Sequence, residues 1–249
     1  MLQEKHGVLM AEGKADAEKP VFENANSPMT EEYREIVIRI LHDNWLAEAA
    51  NASLTYHNVC CPLELAPTMD DRAALANYWA EECGHSVIFG NLLRDFGREP
   101  APEDYEKNRP AELLRLPVTT WIEHGFFQLF ADSAGGVHLA DYAECSYLPL
   151  RAAAAKIAKD EAGHIALGIR NIQKALSLPG GREKAHEVLP VWYRAAMQLF
   201  GRTDRPSARA EVAIRLGIRK QNNAELLRQY KTNIDHRLDR VGLPYRSES

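Results

Sequence analysis

Two tetrapeptides in this chain could do chemistry together. They are Glu82-Cys83-Gly84-His85 and Glu161-Ala162-Gly163-His164, both of the form Glu-x-x-His. On an α-helix, residues three apart stand on one face about one turn apart. Each pair therefore offers a carboxylate and an imidazole to one metal ion. Two such helices face to face, joined by one carboxylate from each of two further helices, make the ligand set of the di-iron and di-manganese bundles. A single Glu-x-x-His arises easily by chance. Two of them, on helices with matching apolar stripes, are a specific signal.

The stripes decide which way the motifs face. Around the first motif the apolar positions are Leu75, Tyr78, Trp79, Phe89, Leu92, Leu93 and Phe96, and Glu82 and His85 fall in the middle of that 3.6-residue pattern. Around the second, Leu150, Ala154, Ile157, Ile165 and Ile172 form the stripe that Glu161 and His164 interrupt. A buried carboxylate is costly unless it is paired, hydrogen-bonded or bound to metal. The plain alternative is two polar patches at helix edges.

The elements that must carry these residues are all helical. A first helix is expected from Ser27-Pro28 or Thr30, with the stripe Tyr33, Val37, Ile40, Leu41, Trp45, Ala52 and Tyr56, and with Glu48 among small neighbours. Cys61 to Pro67 reads as a connecting loop. Thr68 caps a second helix that runs to about Phe96 and stops at Gly97. Pro100 to Pro117 reads as a loop with one helical turn. A third helix follows Pro117 and carries Asp132 on its stripe. Its run Ala131-Asp132-Ser133-Ala134-Gly135-Gly136 is very small-sided, which predicts a bend, a π-bulge or room for a ligand, or else a break between two shorter helices. Pro149 opens the fourth helix. Residues 182–200 predict another, with Pro190 as kink or boundary, and Ser207 to about Tyr230 a last one. No alternating strand pattern appears, so the fold class is all-α. The expected division is a flexible arm over 1–26, a four-helix bundle over 27–178, and accessory C-terminal helices over 179–249 packed on that bundle.

Spacing selects the partner carboxylates. Glu48 precedes Glu82 by 34 residues and Asp132 precedes Glu161 by 29, separations that suit antiparallel helices meeting at one depth. The candidate metal ligands are therefore Glu48, Glu82, His85, Asp132, Glu161 and His164. Glu81 and Asp160 are expected to be exposed, or to orient a ligand. Four carboxylates and two imidazoles favour two ions of iron or manganese type, whereas zinc sites have fewer carboxylates. A reduced iron pair with open positions can activate O₂ beside an organic substrate. Phe89, Phe126, Phe130, Trp45 and Trp121 are candidates for the wall of such a pocket.

Composition bounds the rest. The chain has 249 residues, is 45% hydrophobic and carries a formal charge of −5. No basic footprint suggests nucleic acid. No apolar run reaches the ~20 residues that span a bilayer, and no signal-peptide pattern opens the chain. A soluble, cytoplasmic protein is expected. Its four cysteines, Cys60, Cys61, Cys83 and Cys145, lack Cys-x-x-Cys spacing and read as free thiols.

These motifs resemble the catalytic subunit of the phenylacetyl-CoA epoxidase family. The segment Ala66-Pro67-Thr68 through Ala80-Glu81-Glu82-Cys83-Gly84-His85 is similar to that family's second helix, with Glu-Glu-Cys-Gly-His where the family has Asp-Glu-Ala-Gly-His. Asp160 to His164 reads Asp-Glu-Ala-Gly-His outright, and Cys145-Ser146-Tyr147, Lys156-Ile157 and Lys159 match alongside, with Asp132 in place of Glu. The resemblance covers roughly Thr30 to Leu176. It implies a ferritin-like bundle, a non-haem di-iron centre and O₂-dependent epoxidation or hydroxylation of an aromatic or acyl substrate. It also implies separate reductase and structural subunits, while the C-terminal helices offer a face for a hetero-oligomer or a homodimer. Ala76-Asn77-Tyr78-Trp79 departs from the family in carrying no Lys, so a carrier-bound acyl group or a small carboxylic acid stands beside a CoA thioester as substrate. Two iron ions are the expected cofactor, with manganese as the alternative. The chain has no Gly-x-Gly-x-x-Gly and no four-Cys cluster, so electrons come from a separate NAD(P)H-dependent reductase or ferredoxin. The competing readings are a scaffold subunit of an oxygenase complex, and a ferroxidase or manganese catalase. Phe89 stands where a ribonucleotide-reductase-like radical role uses a Tyr, so that role is disfavoured.

Overall fold

A computed structural model describes residues 20–53, 61–101 and 111–246. Its helices are α1 (Glu31–Ser53), α2 (Cys61–Leu65), α3 (Met69–Asp95), α4 (Glu112–Arg115), α5 (Trp121–Asp141), α6 (Leu148–Leu176), α7 (Gly181–Met197), α8 (Ala208–Arg215) and α9 (Asn223–Arg240). Among the described residues the only extended pairing is an isolated bridge between Phe22 and Tyr147. The fold is an all-α, ferritin-like four-helix bundle with additional C-terminal helices.

Side-chain pairings give the helix directions. Trp45 packs against Gly90 and Glu48 lies near His85, so α1 and α3 are antiparallel. Gly125 faces Ile172 and Gly135 faces Glu161, so α5 and α6 are antiparallel. Glu81 meets His164 and Asp160 meets His85, so α3 and α6 are antiparallel too. Helices α3 and α5 therefore run the same way, and the connection between them must travel the length of the bundle. One such crossover is the ferritin-like connectivity.

Glycine sets how closely α5 and α6 approach. A Cβ on Gly168 would lie 2.9 Å from the Leu129 backbone nitrogen, and one on Gly125 would lie 2.8 Å from Ile172 Cγ1. Those distances are shorter than side chains tolerate, so this helix pair needs both glycines for close packing.

The core is in two parts. On α3 the apolar members are Leu75, Tyr78 and Trp79, then Phe89 and Leu93; on α6 they are Leu150, Ala154 and Ile157, then Ile172 and Ala175. The gap in both helices holds a Glu-x-x-His motif. The accessory helices cover α5: Tyr230 of α9 donates to the Phe130 carbonyl at 3.0 Å, and Arg237 donates to Ser133 Oγ at 2.8 Å.

Several expectations need correction. Cys61–Leu65 is a short helix rather than loop. The alternative of a break at Gly135 and Gly136 falls away, since α5 is continuous to Asp141. Pro190 lies inside α7 rather than at a boundary. The helix expected from Ser207 to Tyr230 is two helices. Gly217 adopts a left-handed φ of 73° and ends α8. Asn222 and Glu225 then form a capping box that starts α9. The end of the supposedly free arm is fixed: Phe22 is buried, its N–H donates to the Ser146 carbonyl, and its own carbonyl accepts from Leu148. Residues 1–19 of that arm lie outside the described residues, as do Tyr56, Cys60 and residues 102–110 of the loop from Pro100 to Pro117.

Candidate metal centre

The gap between the two core clusters is filled by carboxylates and imidazoles. Glu48 of α1, Glu82 and His85 of α3 and Glu161 of α6 offer ligand atoms within 4.8 Å of one another. Glu82, Asp132 of α5 and His164 of α6 form a second group on the same criterion. All six residues singled out from the sequence thus lie in one cluster, and Glu82 belongs to both halves. Helical periodicity on four stripes is what turns them inward.

Each imidazole is oriented from behind. His85 Nε2 lies 3.2 Å from Asp160 Oδ2, and His164 Nε2 lies 2.8 Å from Glu81 Oε2. That leaves Nδ1 of each ring facing the cluster. His164 Nδ1 is 2.9 Å from Glu82 Oε1, and His85 Nδ1 is 3.7 Å from Glu161 Oε1. Tyr78 packs edge-on against His164 and donates its hydroxyl to Asp132 Oδ1 at 3.1 Å. The sequence carries no sign of this hold on Asp132, since a Tyr on an apolar stripe reads as core.

The electrostatics are those of a site that favours a cation. Burial, then the charges of Glu82 and Glu161, holds the Glu48 carboxyl well above its ordinary range. Burial and then Glu82 do the same to Asp132, and burial with Asp132 and Glu82 does so to Glu161. Burial alone would lower His164, but hydrogen bonds and charge from Glu82 and Glu81 outweigh it and raise it. Among the described residues His85 Nδ1, Asp132 Oδ2 and Glu161 Oε2 are buried without a hydrogen-bond partner. Buried polar atoms are normally satisfied. Unsatisfied carboxylate oxygens and an imidazole nitrogen, divided between the two groups, fit a pair of divalent cations.

A cavity of about 1000 Å³ opens onto this cluster. Glu48, Glu82, Asp132 and Glu161 line one end of it. The α5 stripe Ala131, Ala134, Gly135, His138 and Leu139, with Tyr142 just past the helix end, forms one wall. A Cβ on Gly135 would stand 3.4 Å from the Glu161 carboxyl carbon, so the small-sided run gives that carboxylate its room. The α1 face around Ile40, Leu46 and Ala47 forms another wall, and residues 199–210 complete the rim. None of Phe89, Phe126, Phe130, Trp45 and Trp121 lines the cavity. They are core residues, and the aromatic side chains that do line the cavity are Tyr142 and Phe200, among small and aliphatic ones. His138 stacks on Phe200, and burial, aided by Arg219, pushes it down to about 4. It is neutral at pH 7 and offers one donor and one acceptor.

A family model described as phenylacetic acid catabolic protein matches residues 15–248. The chain belongs to that family. It is 25% identical over 189 residues to one of the subunits of 1,2-phenylacetyl-CoA epoxidase from Escherichia coli strain K12, a match covering 72% of this chain and 59% of that protein. The chain thus matches less than two thirds of that relative's length. A solved structure described as protein 19 with aldehyde deformylating oxidase activity, from Synechococcus, shares the fold with a TM-score of 0.63. The likeness covers 86% of this chain and 92% of that one at 16% identity. No helix among the described residues is long and apolar enough to cross a membrane.

Proposed function

We propose that this chain is the metal-bearing component of an O₂-dependent, non-haem di-iron oxygenase. In this reading Glu48, Glu82, His85, Asp132, Glu161 and His164 hold two irons, with manganese as the alternative ion. The observation that carries it is the meeting of four inward-facing carboxylates and two Nδ1 atoms at one end of an organic-sized cavity. When bound and reduced, the iron pair supplies O₂ activation, with two electrons drawn from a separate NAD(P)H-dependent reductase or ferredoxin.

The chain's own residues supply the rest. Asp160 and Glu81 hold His85 and His164 in the tautomer whose Nδ1 is free to ligate. Tyr78 fixes the Asp132 carboxylate through Oδ1. Ile40, Leu46, Leu114 and Leu139 hold the apolar part of an aromatic or acyl substrate and keep water from it. A CoA thioester, a carrier-bound acyl group and a small carboxylic acid are the substrate forms in view. Assembly with a structural partner is favoured, because the Escherichia coli relative is itself described as one subunit of an epoxidase. A cavity of this size at the carboxylates favours organic oxidation over ferroxidase or catalase chemistry, which needs no such space.

The test is metal content and the near-ultraviolet absorption of the purified protein, beside Glu82→Ala and Glu161→Ala. About two irons per chain, a charge-transfer band, and loss of both in the variants are expected. No metal under iron-replete expression, or metal retained in both variants, would overturn the reading and leave a scaffold role.

A further inference from the structure

The cavity is polarised by charge. Its inner end carries the carboxylates of Glu48, Glu82, Asp132 and Glu161, while its rim carries Arg202, Arg205, Arg209 and Arg219. Arg202 pairs with Asp204 and Arg209 with Asp43, while Arg219 pairs with the buried Asp141 through Nε and keeps a buried Nη2 without a hydrogen-bond partner among the described residues. Arg205 is exposed at the rim, and among the described residues its guanidinium has no carboxylate partner. Between the two ends the lining is aliphatic and aromatic, with Ile40, Leu46, Leu114, Leu139 and Phe200.

We propose that the rim is an anion subsite and that the cavity takes an amphipathic anion, its single carboxylate or phosphate held by Arg205 and its apolar body directed at the carboxylate cluster. The inference rests on the reading that the cluster is the reacting end. The orientation follows from the charge at the rim: a guanidinium there attracts an anionic head, whereas the cations held in the reading above offset the four carboxylates at the inner end. The planar guanidinium fork matches carboxylate and phosphate geometry in a way that lysine does not. Ser207 and Asn223 also line the cavity. The volume matters too. About 1000 Å³ is at the upper end of ligand pockets, which exceeds what a short acid fills and suits an elongated body.

The head group could belong to a free acid or to the phosphates of an acyl thioester. Titration calorimetry on the full chain, with iron content measured on the same preparation, separates these. The probes are octanoate, octyl phosphate, octanol, CoA and octanoyl-CoA. Octanoate and octyl phosphate are expected to bind roughly tenfold tighter than octanol, the worth of one charge-assisted hydrogen bond. Arg205→Gln should weaken both anions by about the same factor, leave octanol unchanged, and leave the melting temperature unchanged because the side chain is exposed. Raising ionic strength should weaken the anions only. Competition by CoA, with octanoyl-CoA tightest, marks a thioester. Octanoate binding that CoA leaves untouched marks a free acid. Octanol binding as tightly as the anions, no binding by any probe, or anion affinity unmoved in Arg205→Gln would overturn the proposal. Iron bound without anion preference fails this inference alone; anion preference without iron fails the di-iron reading alone.

Discussion

Glu81 and His164 are joined at 2.8 Å across two helices, and their counterparts Asp160 and His85 are joined at 3.2 Å in the opposite sense. The acid that precedes each motif's Glu therefore holds the histidine of the other motif. Outer carboxylates of this kind fix the ring and raise its basicity. Glu81→Ala and Asp160→Ala should each lower metal affinity by about 10–100-fold while leaving the six proposed ligands in place. Competition with a metal-binding dye would measure this. Unchanged affinity in both variants would mean that the two pairs are surface contacts only.

The glycines of the two motifs differ from those of the helix interface. A Cβ on Gly84 or Gly163 would meet nothing within 4 Å. Gly84→Ala and Gly163→Ala should therefore stabilise their helices by up to about 1 kcal/mol each. Gly168→Ala should instead cost about 1–3 kcal/mol, since its Cβ would press on the α5 backbone. Thermal unfolding of the three variants, with opposite signs of shift, checks the assignment.

Gly135 sits between these cases. Its Cβ would touch the Glu161 carboxylate at ordinary contact distance, so Gly135→Ala should leave metal binding intact. Gly135→Leu would fill the inner end of the cavity and push on Glu161. It should lose roughly tenfold or more in metal affinity, by analogy with disturbed outer contacts. Iron content of the two purified variants distinguishes spacing from mere helix propensity.

His124 predicts a pH dependence separate from the cluster. It is fully buried on α5, neither ring nitrogen has a hydrogen-bond partner among the described residues, and burial pushes it down to about 3. The unfolded chain takes up a proton near 6.5, while the folded chain resists it until about 3. Stability is therefore full above 6.5 and is lost as pH falls through that window, by about 1.4 kcal/mol per pH unit. His124→Leu should remove this slope. Denaturant titrations of wild type and variant between about pH 6 and 4 measure the difference, in which the other titrating groups cancel. Parallel slopes would show that His124 is protonated in the folded protein.

Much of this arrangement is legible in the sequence. Four helical stripes, each interrupted by acid or histidine at the right phase, locate the meeting point of the six residues, because a 3.6-residue period fixes which side chains share a face. The caps at Thr68 and around Pro149 are equally local. The chemistry of the rim is not legible. Arg202 and Arg205 stand in a polar stretch after the bundle and Arg209 and Arg219 in the helix expected from Ser207, and only the three-dimensional return of that segment to α1 and α5 brings them to the cavity. The division between α8 and α9 is hidden for a different reason. Apolar residues on both sides mimic one continuous stripe, although Gly217 and the Asn222-x-x-Glu225 box mark the break. Tyr78 and His138 escape notice because an aromatic ring or a histidine on an apolar face more often only packs.

The rim arginines belong to the connection between α7 and α9, while the carboxylates and histidines belong to α1, α3, α5 and α6. Asp141, at the end of α5, clasps that connection through Arg219 and the backbone N–H groups of Lys220 and Gln221. In the proposed reading, selectivity and reactivity lie on different stretches of chain joined at this clasp. A lineage could exchange the whole stretch from Gly201 to Ile218 and acquire a new clientele, so long as Asp141 keeps its grip and the metal-bearing helices stay as they are.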